Sequence, residues 1–384
     1  MAYSKQSKQM IEICDSIDNI PKDQFLELEN DNPFLSYDFL WSLENSNCVN
    51  ENVGWITNHI IYRDEDGKLE AFTPAYIKYN SFGEFVFDHV WADFYNKINM
   101  QYYPKLLVGI PFTPVRSSKF LLRKNKDSKK IAIVRDIKKI LVSNDISSAH
   151  INFILEDDAK ILNEENFIKR KSKQFIWENN NFKSFNEFLD CLTSRKRKMI
   201  KKERQYINEE GISIECIEGR EITSDLIELF YQFYLDTNHR KWGNVYLNFG
   251  FFENIIKKIP SNIILVVAKK NYEIIATALH IKGNKVLYGR YWGANNYYKY
   301  LHYELCYYQA IEYAIKNEFN SVEAGAGGAH KISRGYSPTH TYSAHYFSNK
   351  KIHSLISDYI DREGSYVDEE IDYLSKFKPF KSSE

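Results

Sequence analysis

Hydrophobic positions recur along this chain with two different periods, and the changes of period mark its elements. Strand-like alternation runs through residues 55–63, 69–79 and 84–91, with Asp64-Glu65-Asp66-Gly67 as a hairpin turn between the first two. A second set on the same plan covers 263–269, 273–282 and 285–292, with turns at Lys270-Asn271 and Gly283-Asn284. Helical spacing predicts helices over 224–235, over 251–259 up to Pro260, and over 301–315, where Leu301, Leu305, Tyr308, Ile311 and Ile315 form one apolar stripe. Ser184-Phe185-Asn186-Glu187 has the form of a capping box and Gly211 stands where a helix ends, which predicts one helix over 185–209. A short strand at 213–217 follows it.

The two strand sets overlay. Thr73, Ile77, Lys78 and Asn80 coincide with Thr277, Ile281, Lys282 and Asn284, and Trp91-Ala92 falls near Trp292-Gly293, as after an internal duplication. At 384 residues the chain exceeds a typical single core, so two domains are expected. The polar run Asn179-Asn180-Asn181, after the strand-like 174–177, is the natural boundary and divides the chain into 1–180 and 181–384. The expected fold class is mixed α/β, built as two similar halves.

Composition narrows the picture only a little. Hydrophobic residues at 43% and charged residues at 27% are those of a folded globular chain. Acidic and basic residues balance at 51 each, so attraction to nucleic acid or membrane must come from a local patch. One such patch exists on the helix that carries Arg195, Lys196, Arg197, Lys198, Lys201, Lys202 and Arg204, which is either a phosphate-binding surface or a solvated helix face. Five scattered cysteines argue against a disulfide framework and a zinc site, and no metal site is expected. The first residues lack the apolar core of a signal peptide and no run is long enough to cross a bilayer, so a cytoplasmic protein is expected.

Candidate chemistry concentrates in residues 286–335. A strand ending in Gly289-Arg290-Tyr291-Trp292-Gly293-Ala294 leads into the 301–315 helix, and a second strand ends in Glu323-Ala324-Gly325-Ala326-Gly327-Gly328-Ala329-His330-Lys331. A P-loop would need Gly at His330 and Ser or Thr at Ile332, and a dinucleotide fingerprint would need Gly at His330, so both are excluded. Glu323, His330, Lys331 and Arg334 crowd into one short loop, which favours a ligand-facing role over a plain tight turn. The N-terminus of the 301–315 helix, close after Trp292, Gly293 and Ala294, suits a pyrophosphate, and His302 lies in its first turn. Three further segments read equally as binding loops or as packed connectors: 234–243 with Lys241 and Trp242, 87–93 with Asp88, Trp91 and Asp93, and 102–105 with Lys105.

Taken in order, Asn32-Pro33-Phe34-Leu35-Ser36, Phe87-Asp88 with Trp91-Ala92-Asp93, Tyr102-Tyr103-Pro104-Lys105, Pro111-Phe112-Thr113-Pro114-Val115, Ser194-Arg195-Lys196-Arg197-Lys198, Arg240-Lys241-Trp242-Gly243, Tyr288-Gly289-Arg290-Tyr291-Trp292-Gly293 and Glu323-Ala324-Gly325 with His330-Lys331 resemble a bacterial family of N-acyltransferases. That family is related to the Fem-type peptidoglycan aminoacyltransferases, and the resemblance spans about residues 30–347. It implies two GNAT-like acyltransferase folds in tandem, each a mixed, mostly antiparallel sheet flanked by helices. It also implies transfer of an acyl group to an amine acceptor in peptidoglycan or cell-envelope metabolism. The donor expected first is acyl-coenzyme A, with Arg290, Trp292, Gly293 and Ala294 at its phosphates and no tightly bound cofactor. Glu323 or His330 would be the base, and Lys331 or Arg334 would hold an anionic group of the acceptor. Asp93 and Lys105 of the first half would close the acceptor cleft, with Asp88, Trp91, Lys241, Trp242 and His302 as further substrate contacts. Two alternatives stay open: aminoacyl-tRNA as donor, with tRNA contacting the helix from Arg195 to Arg204, and a non-catalytic module that recognises a cell-wall precursor or glycan.

Overall fold

The computed structural model describes residues 10–28, 30–124, 126–240, 244–325 and 327–381. Lys241 and Trp242 lie outside the described residues. The strands are β1 (Met10–Cys14), β2 (Trp55–Thr57), β3 (His59–Arg63), β4 (Leu69–Thr73), β5 (Ala75–Lys78), β6 (Lys105–Val108), β7 (Leu121–Leu122), β8 (Ser148–Ile154), β9 (Ile168–Glu178), β10 (Ile212–Glu218), β11 (Ile263–Lys270), β12 (Glu273–Lys282), β13 (Val286–Ala294), β14 (Ser321–Glu323) and β15 (Ser337–Phe347). They fall in two compact units: Met1–Ser172 with Thr341–Val367, and Lys173–His340 with Asp368–Glu384. The simple boundary expected at residue 180 is corrected in one respect, because 341–367 returns to the first unit. The reason is pairing: β15 runs antiparallel to β8 from Tyr342↔Ile154 to Phe347↔Ser148.

In the first unit a four-stranded sheet has the order β1-β3-β4-β7, and a second sheet runs β15-β8-β6-β5-β2. The expected strand 55–63 is thus two strands in different sheets, β2 and β3, broken at Asn58. The expected strand 69–79 is likewise β4 and β5, broken at Pro74, which has no N–H to give to a ladder. No strand forms at 84–91; that segment enters the helix His89–Lys97. Strand β6 pairs antiparallel with β5 and parallel with β8, and the helix Asp127–Ser143 makes the crossover. Ile133, Val134, Ile137 and Leu141 of that helix are buried against Leu106, Val108, Ala149 and Ile151. Each such aliphatic side chain contributes roughly 1.5–3 kcal/mol when fully buried.

The second unit repeats this plan. Strands β10, β11, β12 and β13 are antiparallel neighbours, β13 is parallel to β14, and β14 pairs with β9. The crossover from β13 to β14 is a helix in three pieces: Leu301–Tyr303, a π-helical turn Glu304–Tyr308, and Gln309–Lys316. By topology β5 and β6 correspond to β12 and β13; of the overlay, Ile77 and Lys78 on β5 do match Ile281 and Lys282 on β12, whereas Thr73 lies on β4 and 84–91 has no strand to set against 285–292. Trp91 is not the counterpart of Trp292, since it lies on a helix and Trp292 on β13. The helix expected over 185–209 is two, Phe185–Cys191 and Ser194–Glu209; Ser184 caps the first by accepting from the Glu187 amide at 3.2 Å. Residues 234–240, expected as loop, extend the helix Ser224–Arg240.

Candidate active site

The second unit is open where β13 and β14 part. Their parallel pairing ends at Tyr288↔Glu323, yet β13 continues to Ala294 against β12 alone. Its other edge beyond Tyr288 thus has no strand to bond to among the described residues. A register shift between Leu279 and His280 makes Arg290 an extra residue on β13, a bulge in the strand. A cavity of about 230 Å³ occupies this wedge. Tyr234, Thr237 and Asn238 line it from the helix Ser224–Arg240; His302, Cys306 and Tyr307 from the crossover helix; and Leu279, His280, Gly289, Arg290, Tyr291, Trp292 and Ala324 from the strands.

The wedge is held open by specific contacts. A Cβ at Gly293 would lie 2.3 Å from the Phe233 backbone, so only glycine lets the helix Ser224–Arg240 seat on β13. Lys331 is buried, and its Nζ donates to the carbonyls of Ala324 at 2.8 Å and Gly325 at 2.9 Å, which fixes the end of β14. Burial lowers the pKa of that amine to about 8. Gly325 turns at φ 72°, a left-handed conformation suited to glycine. Arg334 is buried as well: its Nη2 reaches both oxygens of Glu203 at 2.8 and 2.9 Å, and its guanidinium lies 3.5 Å over the Tyr303 ring. Tyr308 donates its hydroxyl to the same carboxylate.

Several expected roles are corrected by this geometry. Lys331 and Arg334 bond within the fold and do not line the cavity. Gly293 and Ala294 form no phosphate loop, since they pair with Thr277 and Ala276 inside the sheet. Residues 295–300 separate them from the crossover helix, and the amides of Leu301, Tyr303 and Glu304 already donate to the Tyr298 and Tyr300 carbonyls. Glu323 is buried at the end of β14 and does not line the cavity. His330 lies just outside it, with Nε2 2.9 Å from the Tyr307 hydroxyl; partial burial lowers its pKa and keeps the ring neutral. Arg290, Trp292 and His302 do line the wedge, and Trp292 meets His302 edge-on at 5.3 Å.

The first-unit candidates belong to a buried cluster. Lys105, fully buried, donates to Glu84 and Ser81 at 2.9 Å and to Asp88, which also accepts from the Tyr102 hydroxyl at 2.6 Å. Burial raises Glu84 to about 7 and lowers Lys78 to about 7, while Lys105 keeps Asp88 below its usual value despite burial. Trp91 is buried beside His150 and His345, whose Nδ1 atoms are 2.7 Å apart. Asp88, Trp91 and Lys105 are therefore core residues. Asp93 is exposed on the helix His89–Lys97.

Thr237 and Asn238 line the cavity from the 234–243 segment read as a binding loop, and the residues missed from sequence are His280, Cys306 and Tyr307. The signal for His280 was a lone imidazole inside the apolar run 274–281; a polar residue there needs a reason. The basic helix also resolves into two parts. Arg204 pairs with Glu304 and Glu312, and Arg197 with Asp190, whereas Arg195, Lys198, Lys201 and Lys202 are exposed. Among the described residues no helix is long and apolar enough to cross a membrane.

The second unit thus repeats the mixed-sheet plan of the first, with a cavity beyond its parallel strand pair. A profile of the FemAB-like family, described as peptidoglycan biosynthesis/recognition, matches residues 16–382, and the chain belongs to that family. No curated protein matches its sequence. The crystal structure of FemX is similar at a TM-score of 0.54 and 13% identity, covering 91% of this chain and 100% of that one. L-PGS from Bacillus licheniformis is similar at 0.50 and 13%, covering 86% and 98%. A C-terminal domain assigned to a lysylphosphatidylglycerol synthetase of Agrobacterium fabrum is similar at 0.54 and 10%, covering 87% and 93%. At these identities the structures share the fold.

Proposed function

We propose that the chain is a transferase that moves an activated aminoacyl or acyl group onto an amine acceptor in peptidoglycan metabolism. The observation that carries this reading is the wedge between β13 and β14, lined from two helices, with the free edge of β13 beside the cavity. Backbone N–H groups on that edge suit an oxyanion developing on the donor carbonyl, and the wedge holds carbonyl and amine in contact. The FemAB-like family and the FemX likeness support the transferase class and the peptidoglycan setting.

For the donor, the surface favours aminoacyl-tRNA over acyl-coenzyme A. The phosphate loop expected at Gly293-Ala294 is strand, and the helix N-terminus behind it is bonded to its own backbone. Arg195, Lys198, Lys201 and Lys202 instead present an exposed basic strip, on a helix whose Arg204 holds Glu304 of the crossover helix. A cytoplasmic location, where tRNA is charged, goes with this donor. The test is transfer of label from charged total tRNA, and in parallel from acetyl-coenzyme A, to a lysine-containing muropeptide. Transfer from tRNA that weakens steeply with salt is expected, and replacing the four cations by Glu should raise the KM for tRNA at least tenfold. Transfer from acetyl-coenzyme A alone, unaffected by those replacements, contradicts the donor assignment. Binding of the muropeptide without transfer from either donor contradicts the enzyme reading and leaves a recognition module.

A further inference from the structure

His280 projects from β12 into the wedge, and its two ring nitrogens have different surroundings. Nε2 lies 3.2 Å from the Leu305 carbonyl oxygen, which can only accept, so Nε2 carries the hydrogen. Nδ1 therefore bears a lone pair. The residue is 2% exposed, and Nδ1 is buried with no hydrogen-bond partner among the described residues. An unpaired buried polar atom costs on the order of 1–3 kcal/mol, which a fold retains where the atom has a use. His280 lines the cavity together with Gly289, and a Cβ placed on Gly289 would come within 3.5 Å of Nδ1. With glycine at 289, no side chain from that position stands against Nδ1 beside the cavity. Leu305 belongs to the π-helical turn Glu304–Tyr308, so the same irregular turn both orients the imidazole and brings Cys306 and Tyr307 to the cavity.

We propose that His280 is a catalytic residue of the transfer reaction, its Nδ1 taking the proton from the attacking amine. This inference rests on the transferase reading above. The amine nitrogen forms a bond to the donor's carbonyl carbon, and the tetrahedral adduct carries a protonated nitrogen and an oxyanion. Nδ1 removes one proton from that nitrogen; the carbon–oxygen bond to the ribose breaks; and the proton passes from Nδ1 to the departing oxygen, leaving an amide and a free hydroxyl. Nitrogen in such an adduct is far more acidic than a free ammonium, so a weak base suffices. Burial lowers the His280 pKa to about 4, so the lone pair is available throughout the neutral range. Among the described residues the other ionisable groups on the cavity are Tyr234, Arg290, Tyr291, His302, Cys306 and Tyr307, and none is a carboxylate that would hold the imidazole protonated.

The test compares wild type with His280→Gln, whose amide can still donate to the Leu305 carbonyl but offers no basic nitrogen. With charged tRNA as donor, kcat should fall about 100-fold with the KM for tRNA unchanged. The acid limb of the wild-type pH–rate profile should disappear. A folded His280→Gln protein that keeps the wild-type kcat and acid limb overturns the proposal while leaving the transferase reading intact. A wild-type protein that transfers from no donor refutes the transferase reading itself. Nitrogen-detected NMR of the wild-type imidazole gives a second readout that needs no variant to fold: Nδ1 should be unprotonated at neutral pH, and a proton on Nδ1 overturns the proposal.

Discussion

The two units carry the same wedge in opposite states. In the second unit β13 and β14 part around a cavity, with Gly289 at its edge. In the first unit β6 and β8 are parallel from Leu106↔Ala149 to Val108↔Ile151, and the chain that follows β6, residues 109–115, is buried throughout. Phe112 packs on Trp55 with ring centroids 5.2 Å apart. Lys119 is buried with its Nζ bonded to the Ser117 and Phe153 carbonyls at 3.0 and 2.8 Å. Beyond its parallel pair one unit packs side chains and an internal ammonium; the other holds a cavity there, with Gly289 on its lining. A shared topology thus leaves function to the contents of the wedge.

If this contrast is right, damage in the first unit should cost stability and damage in the second should cost turnover. The largest stability effect is expected from Lys105→Met, which leaves the Asp88 carboxylate buried without its cation. Unfolding free energy should drop by about 3–5 kcal/mol in denaturant titration, while kcat per folded molecule stays at the wild-type value. A drop in kcat would return Lys105 to the site and break the contrast.

Acid should expose the buried histidines of the first unit next. His150 and His345 are buried, and burial pushes both well below the ordinary histidine value. Below about 6.5 the unfolded chain takes up protons that these folded rings refuse, so stability is present above that pH and falls beneath it, by about 1.4 kcal/mol per pH unit for each ring. His280 and His330 act in the same direction in the second unit, and Glu84, raised to about 7 by burial, acts oppositely in the first. His150→Phe isolates one ring: its unfolding free energy should fall less between about pH 6.5 and 5 than that of the wild type, and an equal fall contradicts the assignment. A smaller effect is expected from Gly293→Ala, whose Cβ meets the Phe233 backbone: about 1–3 kcal/mol of stability, together with reduced turnover because the displaced helix carries Tyr234, Thr237 and Asn238.

Much of this was legible in the sequence, and the failures share a cause. The wedge was visible because an apolar strand running into Gly289, a helical stripe from Leu301 and a glycine turn after Glu323 have separate local signatures. The role of Gly293 was not, because a glycine that admits a helix backbone and a glycine that cradles a phosphate read alike. Lys105, Asp88 and Trp91 looked like a binding surface because charged residues among aromatics have the same pattern whether they face solvent or each other. Arg334 and Lys331 misled in the same way: their partners, Glu203 and the Ala324 carbonyl, are fixed by tertiary contact. His280 was hidden inside an apolar strand, and only the geometry shows its unpartnered nitrogen in a residue that lines a cavity.

The central claim, that transfer takes place in the wedge between β13 and β14, is tested most directly by filling it. Gly289→Val puts a side chain at the edge of the cavity, where its Cβ meets His280 Nδ1 at 3.5 Å and the Ala324 Cα at 3.7 Å, ordinary contact distances. The measurement is transfer from charged tRNA by the folded variant, with its unfolding midpoint recorded alongside. The expected result is an unfolding midpoint near that of the wild type and a transfer rate at least tenfold lower. A folded Gly289→Val protein that transfers at the wild-type rate would contradict the account.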